Sequence, residues 1–178
     1  MATEKEILHT LKERPEQGFR LLMATYKEPI YWHIRRLVVS HDDAQDATQE
    51  TFVRVFRSLP QFEGKGSLGA WIYRIATNEA LRLRMQRQEE VLPIEQAEAA
   101  LNGMMADSYV DYSDLEAIRL QKAILSLPAK QQVAFNLRYY DELSYDEIAE
   151  ISGSTPASAK MNYHLAKERI RQYIQSHD

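Results

Sequence analysis

The sequence predicts an all-α protein built as two small helical lobes joined by a linker. Three observations carry this reading. Apolar residues recur at helical spacing through several long stretches, and no alternating run is long enough for a sheet. Charge is unevenly placed: residues 65–88 carry Lys65, Arg74, Arg82, Arg84 and Arg87 against Glu79 alone, whereas residues 89–128 set a run of acids against only Arg119 and Lys122. A basic block followed by an acidic, irregular one marks a lobe boundary. Within it, Glu95–Asp114 holds no sustained period and contains the turn signal Asn102-Gly103. The expected division is a first lobe over residues 1–92, an acidic linker over 93–114 and a second lobe over 115–178.

Composition narrows the function classes. The 178 residues contain no cysteine, which excludes a disulfide framework and a thiolate metal site. The N-terminal stretch is charged and lacks an apolar signal core, and no run approaches membrane-spanning length, so a soluble cytoplasmic protein is expected. The net charge of -4 is unusual for a protein that holds DNA unaided.

The first lobe begins in earnest with Phe19–Val39. Phe19, Leu22, Met23, Tyr26, Ile30, Ile34, Leu37 and Val38 follow helical spacing, and Pro29 is expected to kink or interrupt the helix. His33 has no second ligand at metal spacing and reads as a core-edge or surface histidine. Ser40 then caps a helix that ends before Pro60. Its expected inner face is Ala44, Ala47, Thr51, Phe52, Val55, Phe56 and Leu59. Its outer face is acidic at the start and basic at the end, as the helix dipole favours. Asp46, Gln49, Glu50 and Val53 form a compact acidic patch with one apolar member, suited to a basic partner, although a solvated, dipole-matched face has the same pattern.

After Pro60, glycines flank Lys65 in a loop and Ser67 caps the next helix. That helix carries Trp71, Tyr73, Arg74, Asn78 and Arg82. Rings that stack bases, cations for phosphates and an amide for a base edge are what single-stranded nucleic acid requires. Trp71 and Ile75 also suit a core.

The second lobe centres on Ser144–Ile174. Ser144 and Glu147 form a capping box, Ile148, Ala149 and Ile151 give a short helix its apolar face, and Gly153 ends it. Thr155-Pro156 opens the next helix with an N-cap hydroxyl and a proline at the first position. Two helices around a short glycine turn make a helix-turn-helix. In the second of them Ala159, Tyr163, Ala166, Ile170 and Tyr173 form an apolar seam. Lys160, His164, Lys167 and Arg171 form a basic one, as a duplex-reading helix needs. Thr155, Ser158, Met161 and Asn162 share its N-terminal turns, where base edges are read. An amphipathic helix with a solvated face carries the same stripes; the capped, glycine-turned first helix favours DNA.

One enzyme reading competes. Asp42-Asp43-Ala44-Gln45-Asp46 spells DDxxD, a spacing that places carboxylates on one helical turn to hold magnesium for diphosphate chemistry. Such a site needs a second acidic helix facing the first. The other acidic cluster, Asp141, Glu142, Asp146 and Glu147, is occupied by a turn and a capping box.

With these residues in view, DATQETFVRVFRSLPQF, SLGAWIYRIATNEALRL and LSLPAKQQVAFNLRYYDELSYDEIAEISGST, in this order, resemble the extracytoplasmic-function sigma factors of bacterial RNA polymerase. The resemblance covers Phe19–Arg87 and Leu115–Ile174. It implies sigma regions 2 and 4 joined by a flexible linker. Asp46, Gln49 and Glu50, with Val53, would grip the clamp helices of the largest polymerase subunit, and the second lobe would meet the flap of the second-largest. The loop around Gly64–Gly69 and the helix through Asn78 would capture a base flipped from the −10 element of promoter DNA. The helix-turn-helix would read the −35 element. An anti-sigma factor, often membrane-anchored, is implied as a further partner; a cofactor, a metal or a small-molecule substrate is not. The chain departs from the family pattern at Arg82, where many relatives have aspartate, at Asn162 and Leu165, where arginine is usual, and at Ala157, where glycine is usual. Two other classes stay open on residues alone: a stand-alone helix-turn-helix regulator, which predicts a dimer on a palindrome, and the magnesium-dependent enzyme.

Overall fold

The computed structural model describes residues 2–38, 40–62, 64, 66–86 and 115–176, and all regular structure among them is helical. Eight α-helices follow in order: α1 (Glu4–Glu13), α2 (Pro15–Leu37), α3 (His41–Ser58), α4 (Leu68–Gln86), α5 (Leu115–Leu125), α6 (Ala129–Tyr139), α7 (Tyr145–Ser152) and α8 (Pro156–Ser176). The stretch read as an acidic linker lies outside the described residues, as does Lys65.

α1 precedes Phe19–Val39, where the clear helical periodicity of the first lobe begins. Thr3 and Glu6 form a capping box, and Ile7 is fully buried. A β-carbon on Gly18 would lie 2.5 Å from the Leu11 backbone nitrogen, so glycine lets α1 and α2 approach closely. α2 runs through Pro29 without interruption. Proline removes one helical hydrogen bond, but α2 packs against α1, α3, α4 and α6, and this tertiary burial outweighs the loss. His33 is entirely buried. Thr77 donates its hydroxyl to the Tyr73 carbonyl at 2.7 Å, so the 2.7 Å contact with His33 Nε2 has the imidazole donating to Thr77 Oγ1. Burial and the nearby Arg36 guanidinium push His33 down to about 3, so it is a neutral core group.

Ser40 caps α3 by accepting from the Asp43 N–H at 3.0 Å. The inner face is Ala44, Ala47, Thr48, Thr51, Phe52 and Val55. Phe56 does not join it: it is 61 % exposed, with its ring 5.2 Å edge-on from Phe19. α4 starts at the Ser67 cap and also closes on Glu4. The Glu4 carboxylate accepts from the Gly69 N–H at 2.9 Å, the Ser67 hydroxyl at 2.8 Å and the Leu68 N–H at 3.2 Å. α1 thus binds the electropositive end of α4.

The second lobe has its own core of Ala123, Ile124, Leu127, Phe135, Ala166 and Ile170. It also shares one with the first. Val133, Leu137, Ile148, Ile151 and Ala159 pack into the cluster that holds Ile34, Leu37 and Ile72. α7 lies on α4, and α6 lies on α2. Arg84, one cation of the basic block, is buried at this junction and donates to Gln132 Oε1 at 2.8 Å, while Gln132 Nε2 donates to the Arg36 carbonyl at 2.8 Å. The sequence separates the lobes because residues 95–114 hold no sustained hydrophobic period; burying Ile148 and Ile151 draws them together.

Candidate functional site

Three surfaces gather the residues singled out in the sequence. The first is the outer face of α3. Asp46 and Gln49 are exposed, Glu50 is half-exposed and pairs with Arg54 at 3.2 Å, and Val53 is exposed. Phe56 continues this stripe one turn on and was missed because the helical pattern also fits it to the core. Its outward position beside Phe19 gives the acidic patch a larger apolar margin.

The second surface is α4. Trp71 is half-buried with its ring 5.1 Å from Phe62. Arg74, Asn78 and Arg82 are exposed on one side of the helix. Arg82 donates to Glu79 at 2.6 Å, and the buried Glu79 carboxylate also binds Arg54 of α3 at 2.7 Å. The hydrogen bond and charge of Glu79 hold the Arg82 guanidinium above its ordinary value. Tyr73 differs from its neighbours: it is 9 % exposed, and its hydroxyl donates to Asp141 Oδ1 at 3.1 Å. Asp141 also faces Arg36 at 3.6 Å. Around the same place, Arg74 lies against Gly153, and Glu150 of α7 crowds Gly66. The first helix of the helix-turn-helix therefore sits beside the face of α4 that carries Tyr73 and Arg74.

The third surface is α8. The expected local chemistry is present throughout. Ser144 Oγ accepts from the Glu147 N–H at 3.1 Å and Glu147 Oε1 accepts from the Ser144 N–H at 3.2 Å. Gly153 adopts φ 64°, and Thr155 Oγ1 accepts from the Ser158 N–H at 3.1 Å. Ala159, Ala166 and Ile170 are buried. Ser158, Lys160, Met161, His164, Lys167 and Arg171 are exposed and Asn162 is half-exposed. Lys167 Nζ lies 5.2 Å from the Tyr163 ring, and Arg171 pairs with Glu168.

Residues 22–90 match the family model of Sigma-70 region 2, and residues 117–170 match that of Sigma-70 region 4. The ECF RNA polymerase sigma factor SigW of Bacillus subtilis is 28 % identical over 96 % of each chain. The chain belongs to the extracytoplasmic-function sigma factors. Two solved structures share the fold of this sigma factor. CnrH, in complex with the cytosolic domain of CnrY, has a TM-score of 0.74 at 16 % identity, over 98 % of this chain and 99 % of that one. The RpoE sigma factor of Bartonella quintana, in complex with the anti-sigma factor NepR, has a TM-score of 0.68 at 21 % identity, over 89 % and 98 %.

Sigma factors are not enzymes. Among the described residues no three His, Cys, Asp or Glu side chains converge to hold a metal; Asp42 and Asp43 stand in the first turn of α3. No described helix is long and apolar enough to cross a membrane.

Proposed function

We propose that this sigma factor binds bacterial core RNA polymerase in the cytoplasm as a detachable specificity subunit and directs it to promoters. The observation that carries the reading is the two family segments in this order, each presenting the surface its role requires. Asp46, Gln49, Glu50 and Val53 would meet the clamp helices of the largest subunit. The second lobe would meet the flap of the second-largest. Lys65, Trp71, Arg74, Asn78 and Arg82, with Tyr73 once uncovered, would hold the opened −10 strand. Thr155, Ser158, Lys160, Met161, Asn162, His164, Lys167 and Arg171 would face the −35 duplex.

The work is done by binding alone. Unstacking a base step costs a few kcal/mol, and a protein that traps the flipped base stabilises the strands once they part. The lobes, assigned to residues 1–92 and 115–178 with the linker at 93–114, must first separate. The −10 and −35 elements lie about 25 base pairs apart, or about 85 Å of duplex. The chain between α4 and α5 can span about 95 Å when extended. An anti-sigma factor that keeps the lobes together would silence the protein, a role supported by the complex of the RpoE sigma factor with the anti-sigma factor NepR. Reconstitution with bacterial core polymerase, followed by sequencing of transcript starts, tests the reading. It expects starts at a defined promoter class that core alone does not select; unchanged starts would refute it.

A further inference from the structure

α8 exposes an apolar stripe along the face that a duplex would meet. Ala159, Ala166 and Ile170 point to the core. At about 100° per residue, the opposite direction falls to Ala157, Met161, His164 and Glu168, with Leu165 about one side-chain width away. Met161 is 62 % exposed and Leu165 is 44 % exposed. Ala157, Met161 and Leu165 stand at i, i+4 and i+8, so they form one line up the first half of the helix. An isolated exposed leucine is ordinary, but two large apolar side chains aligned on a helix that is polar elsewhere on its outer surface are not.

Cations flank the line. Lys160, Lys167 and Arg171 lie on one side, and Arg169 lies on the other; all four are exposed. An apolar protein partner would leave these charges to be desolvated beside it. A duplex suits the whole arrangement: two phosphate strands border a major groove whose floor offers an apolar group in the thymine methyl. The groove admits a helix, and the N-terminal half of the second helix is what reaches its floor.

We propose that Met161 and Leu165 read thymine methyl groups in the −35 element. The inference deepens the sigma-factor reading and rests on it. It gives a chemical preference to two positions that have no hydrogen bond to offer a base. The −35 element selected by the holoenzyme must then carry thymines in the major groove facing α8.

The experiment uses the holoenzyme and the promoter identified by start-site sequencing. Each −35 thymine is replaced in turn by deoxyuridine, which deletes one methyl group and changes no hydrogen-bonding edge. Two positions are expected to lose about three- to fivefold in holoenzyme affinity, the effect of one buried methyl. Met161→Ala should abolish the loss at one of them and Leu165→Ala at the other, with unchanged melting curves because both side chains are exposed. Leu165→Arg should shift the preferred base at its position to guanine, which a guanidinium reads at O6 and N7. A −35 element without thymine, a holoenzyme indifferent to deoxyuridine, or a loss that survives both alanine variants overturns the inference while leaving the sigma reading intact. A holoenzyme that selects no promoter at all removes the sigma reading, and this inference with it.

Discussion

The Tyr73 hydroxyl of α4 donates to Asp141 just past the end of α6, so one hydrogen bond joins α4 to the second lobe. Arg36 from α2 faces the same carboxylate. While this bond stands, the Tyr73 ring is covered. Burial pushes the Asp141 carboxyl above its ordinary value, although Arg36 and Tyr73 pull it back.

A double-mutant cycle measures this coupling. Tyr73→Phe and Asp141→Ala should each lower thermal stability by about 1 kcal/mol, and the pair should lose less than the sum by about 0.5–1 kcal/mol. Each variant should also lengthen the mean distance between fluorophores placed on the two lobes. Strictly additive losses with an unchanged distance would mean that the bond holds nothing together. Tyr73→Phe keeps the ring, so opened-strand binding by the holoenzyme should persist; Tyr73→Ala should reduce it.

Glu4 provides a pH dependence with a defined sign. Burial raises its carboxyl, but hydrogen bonds from Gly69, Ser67, Leu68 and Tyr26 outweigh that and leave it below its ordinary 4.5. A depressed carboxylate stabilises the fold above the unfolded value, and the contribution disappears as pH falls through the folded one. Glu4→Gln should therefore cost about 0.5 kcal/mol at pH 7, since the group is largely solvent-screened. The two melting curves should converge below pH 4.5 and approach each other in high salt. A constant gap across that range would assign the effect to packing.

Local chemistry was legible in the sequence wherever a short motif fixes its own geometry. The Ser40 cap, the Ser144–Glu147 box, the αL Gly153 and the Thr155 cap all depend on residues within one turn. What depended on tertiary partners was not legible. Phe56 fits the core spacing of α3 but points outward beside Phe19, because side-chain period does not say where the neighbouring helix ends. Pro29 marks a break only in an unsupported helix. Arg84 and Tyr73 belong to pattern classes that usually meet solvent or nucleic acid, yet here they close on Gln132 and Asp141 of the other lobe, and no local sequence pattern signals a contact between residues this far apart in the chain. The clasp of Glu4 on Ser67, Leu68 and Gly69 joins residues more than sixty positions apart and has no periodic signal.

The acidic patch should be separable from folding. Asp46 is exposed, and the Glu50–Arg54 pair is a half-exposed i,i+4 contact worth about 0.3–0.5 kcal/mol. Asp46→Lys with Glu50→Lys should abolish core-polymerase binding in a pull-down and leave the melting temperature within a few degrees. Phe56→Ala should weaken core binding by about tenfold, as loss of an exposed aromatic at an interface does. Unaltered core affinity in both variants would remove α3 from the polymerase interface.

Asn78 is exposed on α4 without a role in the core. Asn78→Ala should slow promoter opening on a duplex and have less effect on a template already unpaired at the −10 element, because its amide acts on a base that has left the stack. Equal losses on both templates would make it a residue for initial docking.

The last prediction separates a polymerase subunit from a self-sufficient regulator. α8 offers Lys160, Lys167 and Arg171 to phosphates, but Arg171 is already paired with Glu168 and Lys167 lies against Tyr163. A few contacts of this kind give weak, salt-sensitive binding, and the net charge of -4 opposes the rest of the duplex. A single recognition helix also lacks the doubled contacts of a dimer. The −10 surface adds nothing in the free chain, since Tyr73 is covered and its target base is still paired. The isolated protein should therefore bind its promoter no more tightly than about micromolar in ~150 mM salt. Core polymerase should convert this into tight, specific binding by parting the lobes and fixing them at the spacing of the two elements, which raises the effective concentration of each for its site. Lys160→Ala should weaken −35-dependent binding of the holoenzyme and lower its salt slope by about one ion. Nanomolar binding by the purified chain to its promoter, measured by gel shift at that salt, would instead establish an independent regulator.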